Sequence, residues 1–247
     1  MARRTTTWMA AGALALAALG MDASASRAAT VTIGDFEGSL DAGWTTSGST
    51  STRTQTFGVD PTLNNRFLEL RTNGGVSSDT ALEAFFGFSA GTIDALSPNG
   101  QNVTEGSGAR LVLTVAAGDQ IQFDFNFLTN ETTGFAPNYR DFAFSSIRSG
   151  AQGEVVLADV FSMTRQPTSN GGWSQTDWQT ASYTFTAGGT YTIGFGVVDV
   201  LDTQIDTRLL LDNVLWIQAP EPGTGVLVSI GLVVLATRRR RVARRPA

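Results

Sequence analysis

The sequence predicts an all-β fold, a two-sheet antiparallel β-sandwich of jelly-roll type, flanked by an N-terminal signal helix and a C-terminal transmembrane helix. Apolar and polar residues alternate in many short segments, with the period of two expected for half-buried strands. The chain has 27 glycines and 16% charged residues among its 247, as is typical of a turn-rich β protein. Between the two ends, the only helix predicted is a short one over Asp79–Phe86.

The predicted strands divide the middle of the chain into short segments, as in a sandwich of two sheets. Alternation is clearest in residues 121–127 and 191–197, and in Leu209, Leu211 and Leu215. Small-residue stretches at 116–119 and 187–189 predict hairpin connections. The Ser/Thr/Gly-rich stretch 45–54 predicts either a loop or an edge strand. The other predicted strands are residues 30–37, 51–57, 67–71, 109–115, 140–147, 155–161 and 182–186.

The composition excludes several classes of function. The chain has no cysteine and no histidine, which excludes a disulfide framework, a thiolate nucleophile, a Cys/His zinc site and a Ser-His-Asp triad. Residues 30–219 carry twenty acidic residues and eight arginines, a net charge of −12, which disfavours nucleic acid as a partner. We therefore expect a protein that is not an enzyme.

The N-terminus has the parts of a secretory signal peptide, predicted over residues 1–25. Two arginines precede an apolar segment at residues 8–20, and Ala23-Ser24-Ala25 fits the small-residue rule for signal peptidase. Cleavage is expected before Ser26, with cleavage after residue 28 or 29 as the alternative. The segment implies export through the Sec machinery.

The C-terminal residues 219–247 have the parts of a membrane anchor. A helix over the apolar residues 223–237 rises about 22 Å against a hydrocarbon core of about 30 Å, a gap that local thinning and snorkelling arginines can close. The arginine-rich end is expected to stay in the cytoplasm, with the sandwich domain, residues 26–218, exported across the inner membrane. The motif is Pro220, Glu221 and Pro222, and the end, residues 238–247, begins with Arg238, Arg239, Arg240 and Arg241.

This tail resembles the PEP-CTERM sorting signal, in which a Pro-Glu-Pro motif, a short apolar helix and an arginine-rich end follow one another. The resemblance implies recognition by an exosortase, a membrane-embedded cysteine protease that cuts near the motif and releases or re-anchors its substrate at the cell surface. Such systems accompany exopolysaccharide production in Gram-negative bacteria. An ordinary tail anchor that is never processed is the alternative.

The sandwich domain has two resemblances of its own. Residues 125–131 and 138–144 are similar to the core of the choice-of-anchor extracellular domains, but Arg140 stands where asparagine is common in that pattern. Residues 34–44 and 211–214 are similar to the first and last strands of jelly-roll carbohydrate-binding modules, which lie side by side and often hold a structural calcium.

The second resemblance implies that Glu37 and Asp212 supply carboxylate oxygens to a Ca²⁺ ion, which takes six to eight oxygen ligands. The alternative is that both are polar groups at the ends of edge strands. The resemblance therefore leaves open whether a cation or the protein's own backbone engages these two carboxylates.

Two further groups of acidic residues are candidate sites at the rim of the sandwich. Glu131 and Asp141 flank a loop, where a rigid scaffold commonly carries a ligand or cation site. Asp199, Asp202 and Asp206 lie within one connection between strands. The alternatives are turn chemistry for the first pair and a solvated acidic loop for the other three.

Three tryptophans, Trp44, Trp173 and Trp178, are candidates for stacking on sugar rings, with core packing as the alternative. Exposure on a concave sheet face would indicate a carbohydrate-binding module. A pocket with two converging carboxylates, one of strongly raised pKa, would instead indicate a glycosidase.

The sequence thus predicts an exported structural or interaction protein, displayed at the cell surface or released into the extracellular matrix, in contact with extracellular polysaccharide. A carbohydrate-binding module with a structural calcium is the alternative.

Overall fold

The computed structural model describes residues 28–38, 40–132, 138–150, 153–164 and 172–220. The predicted signal peptide, the sorting motif from Glu221 onward, the apolar segment and the arginine-rich end lie outside these residues. In the described part of the chain, no helix is long and apolar enough to span a membrane.

Thirteen strands, two α-helices and a short 3-10 helix at Val160–Ser162 form within the described residues. The strands are β1 Ala29–Gly34, β2 Trp44–Ser47, β3 Ser49–Arg53, β4 Phe67–Arg71, β5 Ser77–Ser78, β6 Val103–Val115, β7 Gln120–Thr129, β8 Phe142–Arg148, β9 Glu154–Asp159, β10 Ser174–Gln175, β11 Gln179–Thr184, β12 Gly189–Val200 and β13 Thr207–Gln218. The helices are α1 Asp79–Phe86 and α2 Thr92–Leu96.

These strands form two antiparallel sheets, which confirms the predicted sandwich. Sheet A has the order β10-β7-β13-β4-β3, with β1 beside β13 and β11 beside β7. Sheet B has the order β2-β6-β12-β8-β9, with β5 beside β6. The long strands β6, β7 and β8, and then β11, β12 and β13, alternate between the sheets, as in a jelly roll.

The two predicted hairpin connections are wrong, because both segments are arches that cross between the sheets. Residues 116–119 join β6 to β7, and residues 185–188 join β11 to β12. The arches are bonded to each other, since the Gly118 amide donates to the Phe185 carbonyl at 2.7 Å and the Phe185 amide donates to the Asp119 carbonyl at 2.8 Å. A short turn sequence does not determine whether the two flanking strands pair with each other or lie in opposite sheets. Long-range packing decides between these arrangements.

The core between the sheets contains the alternating apolar residues predicted for β7 and β12, such as Phe125 and Phe195. In β13, Leu209 and Leu211 also point inward. The prediction fails at Leu215, because the register shifts between Asp212 and Leu215. An extra residue moves the later side chains to the opposite face, so Val214 fills the core instead.

The outer face of sheet B is covered by α1, whose predicted bounds are confirmed. The Ser78 hydroxyl accepts the Ala81 amide at the start of this helix. At its end, Phe86 packs so closely on β12 that a Cβ at Gly194 would lie 2.7 Å from the phenyl ring. Burial of this face orders the helix, although its eight residues are too few to be stable alone.

The stretch 45–54 proves to be two edge strands, β2 of sheet B and β3 of sheet A. Gly48 joins them with a φ of 84°, and a Cβ there would lie 2.5 Å from the Ser107 hydroxyl oxygen. The chain can cross between sheets at this point because glycine tolerates both the left-handed backbone and the close approach.

Both ends of the described sandwich lie at one end of the strand pair β1–β13, where Ala29 is opposite Gln218. Asp119 fixes this end, since its carboxylate accepts hydrogen bonds from the Ala219 amide at 2.8 Å and the Trp216 indole at 2.9 Å. Strand β13 begins at the opposite end, where Thr207 is opposite Thr129.

Candidate functional site

The fold brings the two predicted acidic groups together at the Thr129–Thr207 end of the sandwich. Glu131 follows β7 and Asp141 precedes β8, while Asp199 and Asp202 lie at the end of β12 and just beyond it. The charges of Asp141 and Asp202 both act on Glu131. Two residues of the second predicted acidic group, Asp199 and Asp202, thus lie at the same end of the sandwich as Glu131 and Asp141.

Asp141 links the two sheets. Its side chain is 2% exposed, and one carboxylate oxygen accepts the Val200 amide of sheet B at 2.9 Å. The other oxygen accepts the Thr207 hydroxyl of sheet A at 2.6 Å. A buried carboxylate that accepts donors from two layers fixes their relative position at this end.

A chain of hydroxyl groups connects Asp141 to Glu131. The Thr129 and Thr207 hydroxyl oxygens are 2.9 Å apart, and the Glu131 amide donates to the Thr129 oxygen at 2.9 Å. Each hydroxyl has one proton, and that of Thr207 goes to Asp141, so Thr129 must donate to Thr207. All donors therefore point toward Asp141, an arrangement in which successive bonds strengthen one another.

The carboxyl groups at this end lack positive partners. None of the ion pairs within the described residues includes Glu131, Asp141, Asp199 or Asp202. Burial, followed by the charges of Asp141 and Asp202, raises the pKa of Glu131 to about 7. Burial likewise raises the pKa of Asp141, and burial together with the Asp141 charge raises the pKa of Asp199.

Asp199 is the least satisfied of these groups. It is 1% exposed, and neither of its carboxyl oxygens accepts a hydrogen bond from the rest of the described chain. No three acidic residues of the described chain are placed to hold a metal ion. A proton on Asp199 that is donated to Asp141 supplies the missing neutralisation, since two adjacent buried carboxyls cannot both ionise.

Above these buried groups, described residues of the segment that follows β7 and of the segment that follows β12 line a cavity of about 320 Å³. Side chains in it include amides, carboxylates and a phenol ring, which can accept and donate hydrogen bonds and pack against a ring. Tyr139, Gln204 and Ile205 were not singled out from the sequence, because single polar or aromatic loop residues have no periodic signal. The cavity is lined by Asn130, Glu131, Thr132, Tyr139, Asp202, Gln204 and Ile205.

The predicted calcium ligands lie elsewhere, and each engages the loop between β3 and β4. One Asp212 oxygen accepts the Thr62 and Leu63 amides at 2.8 and 2.9 Å. Glu37 accepts the Asn65 and Arg66 amides at 2.7 and 2.8 Å. These bonds match the alternative, polar groups at strand ends, and calcium binding by Glu37 and Asp212 stays a prediction.

Two of the three tryptophans are core residues, which is the alternative that the sequence left open for them. Trp44 is 5% exposed, lies between Phe36 and Phe195, and donates its indole N–H to a backbone carbonyl. Trp173 is 4% exposed and is stacked on Phe57 with 4.3 Å between ring centroids. In both cases the sandwich buries a large apolar ring, and exposing that ring to water would cost free energy.

Trp178 is partly exposed. Its indole N–H donates to the Asp60 carbonyl at 2.8 Å, and its ring meets the edge of Phe67. A role in binding sugar stays a prediction for this residue alone among the three.

Arg140, the departure from the choice-of-anchor pattern, is committed to an ion pair. Its guanidinium donates to Asp159 at 2.5 and 2.9 Å and lies over the Phe161 ring. It stiffens the segment that leads into Asp141 and is not among the residues lining the cavity.

The fold and this end of the molecule define a β-sandwich with a ligand-sized cavity formed by loops. No protein-family model and no curated protein matches the chain. Among solved structures, it is similar to the module TmCBM61 in complex with β-1,4-galactotriose, at 9% identity and a TM-score of 0.40 over 75% of this chain and 92% of that one.

Two other similar structures are an adhesin domain and a carbohydrate-binding module of a cellulosomal cellulase. The K1 cleaved adhesin domain of Lys-gingipain from Porphyromonas gingivalis W83 has 13% identity and a TM-score of 0.40, over 77% of this chain and 98% of that one. The family 11 carbohydrate-binding module of the Clostridium thermocellum cellulase Lic26A-Cel5E has 12% identity and a TM-score of 0.35, over 80% and 99%. At these values the likeness assigns no ligand to this chain.

Proposed function

We propose that this chain is an exported, non-catalytic β-sandwich that binds extracellular polysaccharide in the cavity between Glu131 and Asp202. In this proposal a signal peptidase and the Sec machinery deliver it, and an exosortase processes its C-terminal tail at the cell envelope. Its role is that of a structural or interaction protein at the surface or in the matrix.

The observation that carries the binding proposal is the cavity itself. Its volume of about 320 Å³ is at the lower end of ligand pockets, which suits a short stretch of a glycan chain. Sugar hydroxyls donate and accept hydrogen bonds, which matches the amides of Asn130 and Gln204 and the carboxylates of Glu131 and Asp202. Tyr139 adds an aromatic face for the apolar side of a sugar ring.

The position of the cavity supports a role in display. Strand β13 runs from Thr207, beside the site, to Gln218, next to the start of the predicted sorting tail. Twelve residues of strand span about 36 Å at a rise of about 3.3 Å per residue. The cavity and the exit of the chain at Ala219 are therefore at opposite ends of this strand.

A second candidate function is glycoside hydrolysis, which one observation favours. The cavity contains two carboxylates, Glu131 and Asp202, and the pKa of Glu131 is raised to about 7, as in a general acid. Burial is the main cause of this shift, and the neighbouring carboxyls Asp141 and Asp199 engage each other. We place binding first because these inner carboxyls have a structural role in joining the sheets.

Affinity electrophoresis tests the binding proposal, with protein recovered from the native envelope and medium and gels that contain the extracellular polysaccharide of the same cells. We expect retardation of the wild type, and roughly tenfold weaker binding, about 1.4 kcal/mol, for Tyr139→Ala. Tyr183→Ala is the matched control, because Tyr183 is an exposed tyrosine on β11 outside the cavity. Equal migration with and without polysaccharide would reject the proposal.

The same samples decide between binding and hydrolysis. Release of new reducing ends by the wild type, but not by Glu131→Gln, would establish the glycosidase. Retardation without any release of reducing ends supports the binding protein.

A further inference from the structure

We propose that the glycan bound in this cavity carries ammonium groups, so that the ligand is an amino-sugar polymer and not an acidic polysaccharide. The inference rests on the proposed function and adds the charge class of the ligand.

Among the described residues that line the cavity, the charged ones are Glu131 and Asp202, and both are acidic. The nearest arginines in the sequence are engaged elsewhere: Arg140 pairs with Asp159 at 2.5 Å, and Arg208 pairs with Glu69 at 2.7 Å. A uronate or sulfate group would therefore meet two carboxylates and no cation among these described residues, whereas an ammonium group would be attracted.

A buried carboxylate behind the cavity strengthens this field. Asp141 is 2% exposed, and its charge acts on Glu131, as does the charge of Asp202. Asp199 holds its proton and adds no charge of its own. A charge surrounded by low-dielectric protein acts more strongly than a charge in water, so the opening concentrates negative potential.

Hydrogen bonding favours the same ligand. The carboxylates of Glu131 and Asp202 present acceptors to whatever enters the cavity. An ammonium group has three N–H donors and no acceptor, which makes it the complement of this pair.

Binding of an ammonium group should change the protonation state of Glu131. The groups that act on this carboxyl are Asp141 and Asp202, and its pKa of about 7 means that it is half protonated near neutral pH. A bound ammonium replaces that proton as the counter-charge. Binding should thus release a proton near pH 7 and strengthen as the pH rises toward that value, as long as the amine stays protonated.

Isothermal titration calorimetry of the full chain with three oligosaccharides of equal length tests the inference. The probes are hexamers of β-1,4-linked glucosamine, of N-acetylglucosamine as the neutral match, and of galacturonic acid as the acidic match. We expect the glucosamine hexamer to bind at least tenfold more tightly than the other two. Its heat of binding should differ between buffers of high and low ionisation enthalpy at about pH 6, where the sugar amine is mostly protonated and Glu131 still holds the proton that binding releases.

Variants locate the effect in the cavity. Glu131→Gln and the more exposed Asp202→Asn should each reduce affinity for the glucosamine hexamer about tenfold, a larger loss than either causes for the N-acetylated hexamer, which keeps only hydrogen bonds to these side chains. Asp60→Asn is the matched control, because it removes the same charge from an exposed position in the loop between β3 and β4. If Glu131→Gln fails to fold, Asp202→Asn still tests the inference.

The outcomes separate this inference from the proposed function. Equal or tighter binding of the N-acetylated or galacturonic hexamer would overturn the charge class while the polysaccharide function stands. An equal loss of affinity in Asp60→Asn would show that binding depends on the net charge of the protein and not on the cavity, and would also overturn the charge class. Absence of binding to all three hexamers and to the native extracellular polysaccharide would overturn both.

Discussion

The Thr207 hydroxyl of sheet A donates a 2.6 Å hydrogen bond to the Asp141 carboxylate, which is bonded to sheet B through the Val200 amide. This contact joins the two layers of the sandwich at the end that contains the cavity. It also terminates the hydroxyl chain that begins at the Glu131 amide. The position of a cavity residue is therefore linked to the packing of the two sheets.

We expect Thr207→Val to lower the free energy of unfolding by about 1–3 kcal/mol, because Asp141 would lose a donor while it stays buried. Urea denaturation followed by tryptophan fluorescence measures the change. Thr190→Val is the control, since Thr190 shares an exposed hydroxyl pair with Thr114 across β6 and β12 and should cost less than about 0.5 kcal/mol. Similar losses in both variants would contradict the linkage.

Asp199→Asn should stabilise the protein, and more so at pH 8 than at pH 5. The raised pKa of Asp199 means that the folded state holds its proton more tightly than the unfolded chain, whose aspartates titrate near pH 4. The contribution of this proton to wild-type stability is thus fully present below about pH 4 and is lost as the pH rises through the folded-state pKa. The side-chain amide of the variant supplies the donor to Asp141 at every pH. Urea midpoints at the two pH values measure this, and an unchanged pH slope would count against the shared proton.

Glu69→Gln should have the opposite effect, although Glu69 is also fully buried. Burial acts to raise its pKa, but the charge and hydrogen bond of Arg208 outweigh it, so the pKa lies below the usual range. Its stabilising effect is present above about pH 4 and is lost as the pH falls. We expect a loss of about 1.5–3 kcal/mol at pH 7, because Arg208 would lose one of its two carboxylate partners and keep Asp206, and a smaller loss at pH 3. Equal losses at both pH values in urea denaturation would refute this.

Asp119→Asn should release the last residues of β13 without unfolding the sandwich. The Asp119 carboxylate holds the Ala219 amide and the Trp216 indole through separate oxygens, and an amide side chain can accept through only one. Hydrogen exchange followed by mass spectrometry should show faster exchange at Trp216–Ala219 and unchanged exchange in β7. Uniform acceleration across the domain would mean that Asp119 supports the whole fold.

Replacement of Glu221 by alanine, or deletion of residues 238–245, should leave an unprocessed precursor in the membrane. The measurement is the intact mass of the protein in the native envelope and medium. For the wild type we expect a species that starts near Ser26 and ends near Pro220, and Asp60→Ala, outside the motif, should mature in the same way. A wild type with all its C-terminal arginines would be an ordinary anchor.

Local sequence patterns predicted much of the fold. The bounds of α1 were predicted at both ends, because Ser78 caps the first turn and Gly87 adopts the left-handed conformation after the last. Alternation in β7 and β12 identified inward-facing residues, since a strand places every second side chain on one face. The same rule failed after Asp212, because the register shift in β13 has no local signature.

The candidate site was predicted in part. Glu131 and Asp141 were selected as acidic residues at the ends of a loop; Glu131 lines the cavity, whereas Asp141 is buried behind it and joins the sheets, and ligand binding by either residue stays a prediction. Their meeting with Asp199 and Asp202 depends on strands β8 and β12 pairing, with Phe142 opposite Val198. The burial of Trp173 likewise depends on Phe57, a residue more than a hundred positions away that stacks on its ring.

By itself, the sequence determined the all-β class, the alternation of the main strands and the short helix, because period, capping and turn chemistry act over a few residues. The predictions of a signal peptide and a sorting tail are of the same local kind. Only the tertiary structure decided which strands pair, which turns cross between the sheets and which carboxyls lose their water. Those outcomes depend on contacts between residues far apart in the chain, and the pKa of Glu131 follows from neighbours that no local pattern could place beside it.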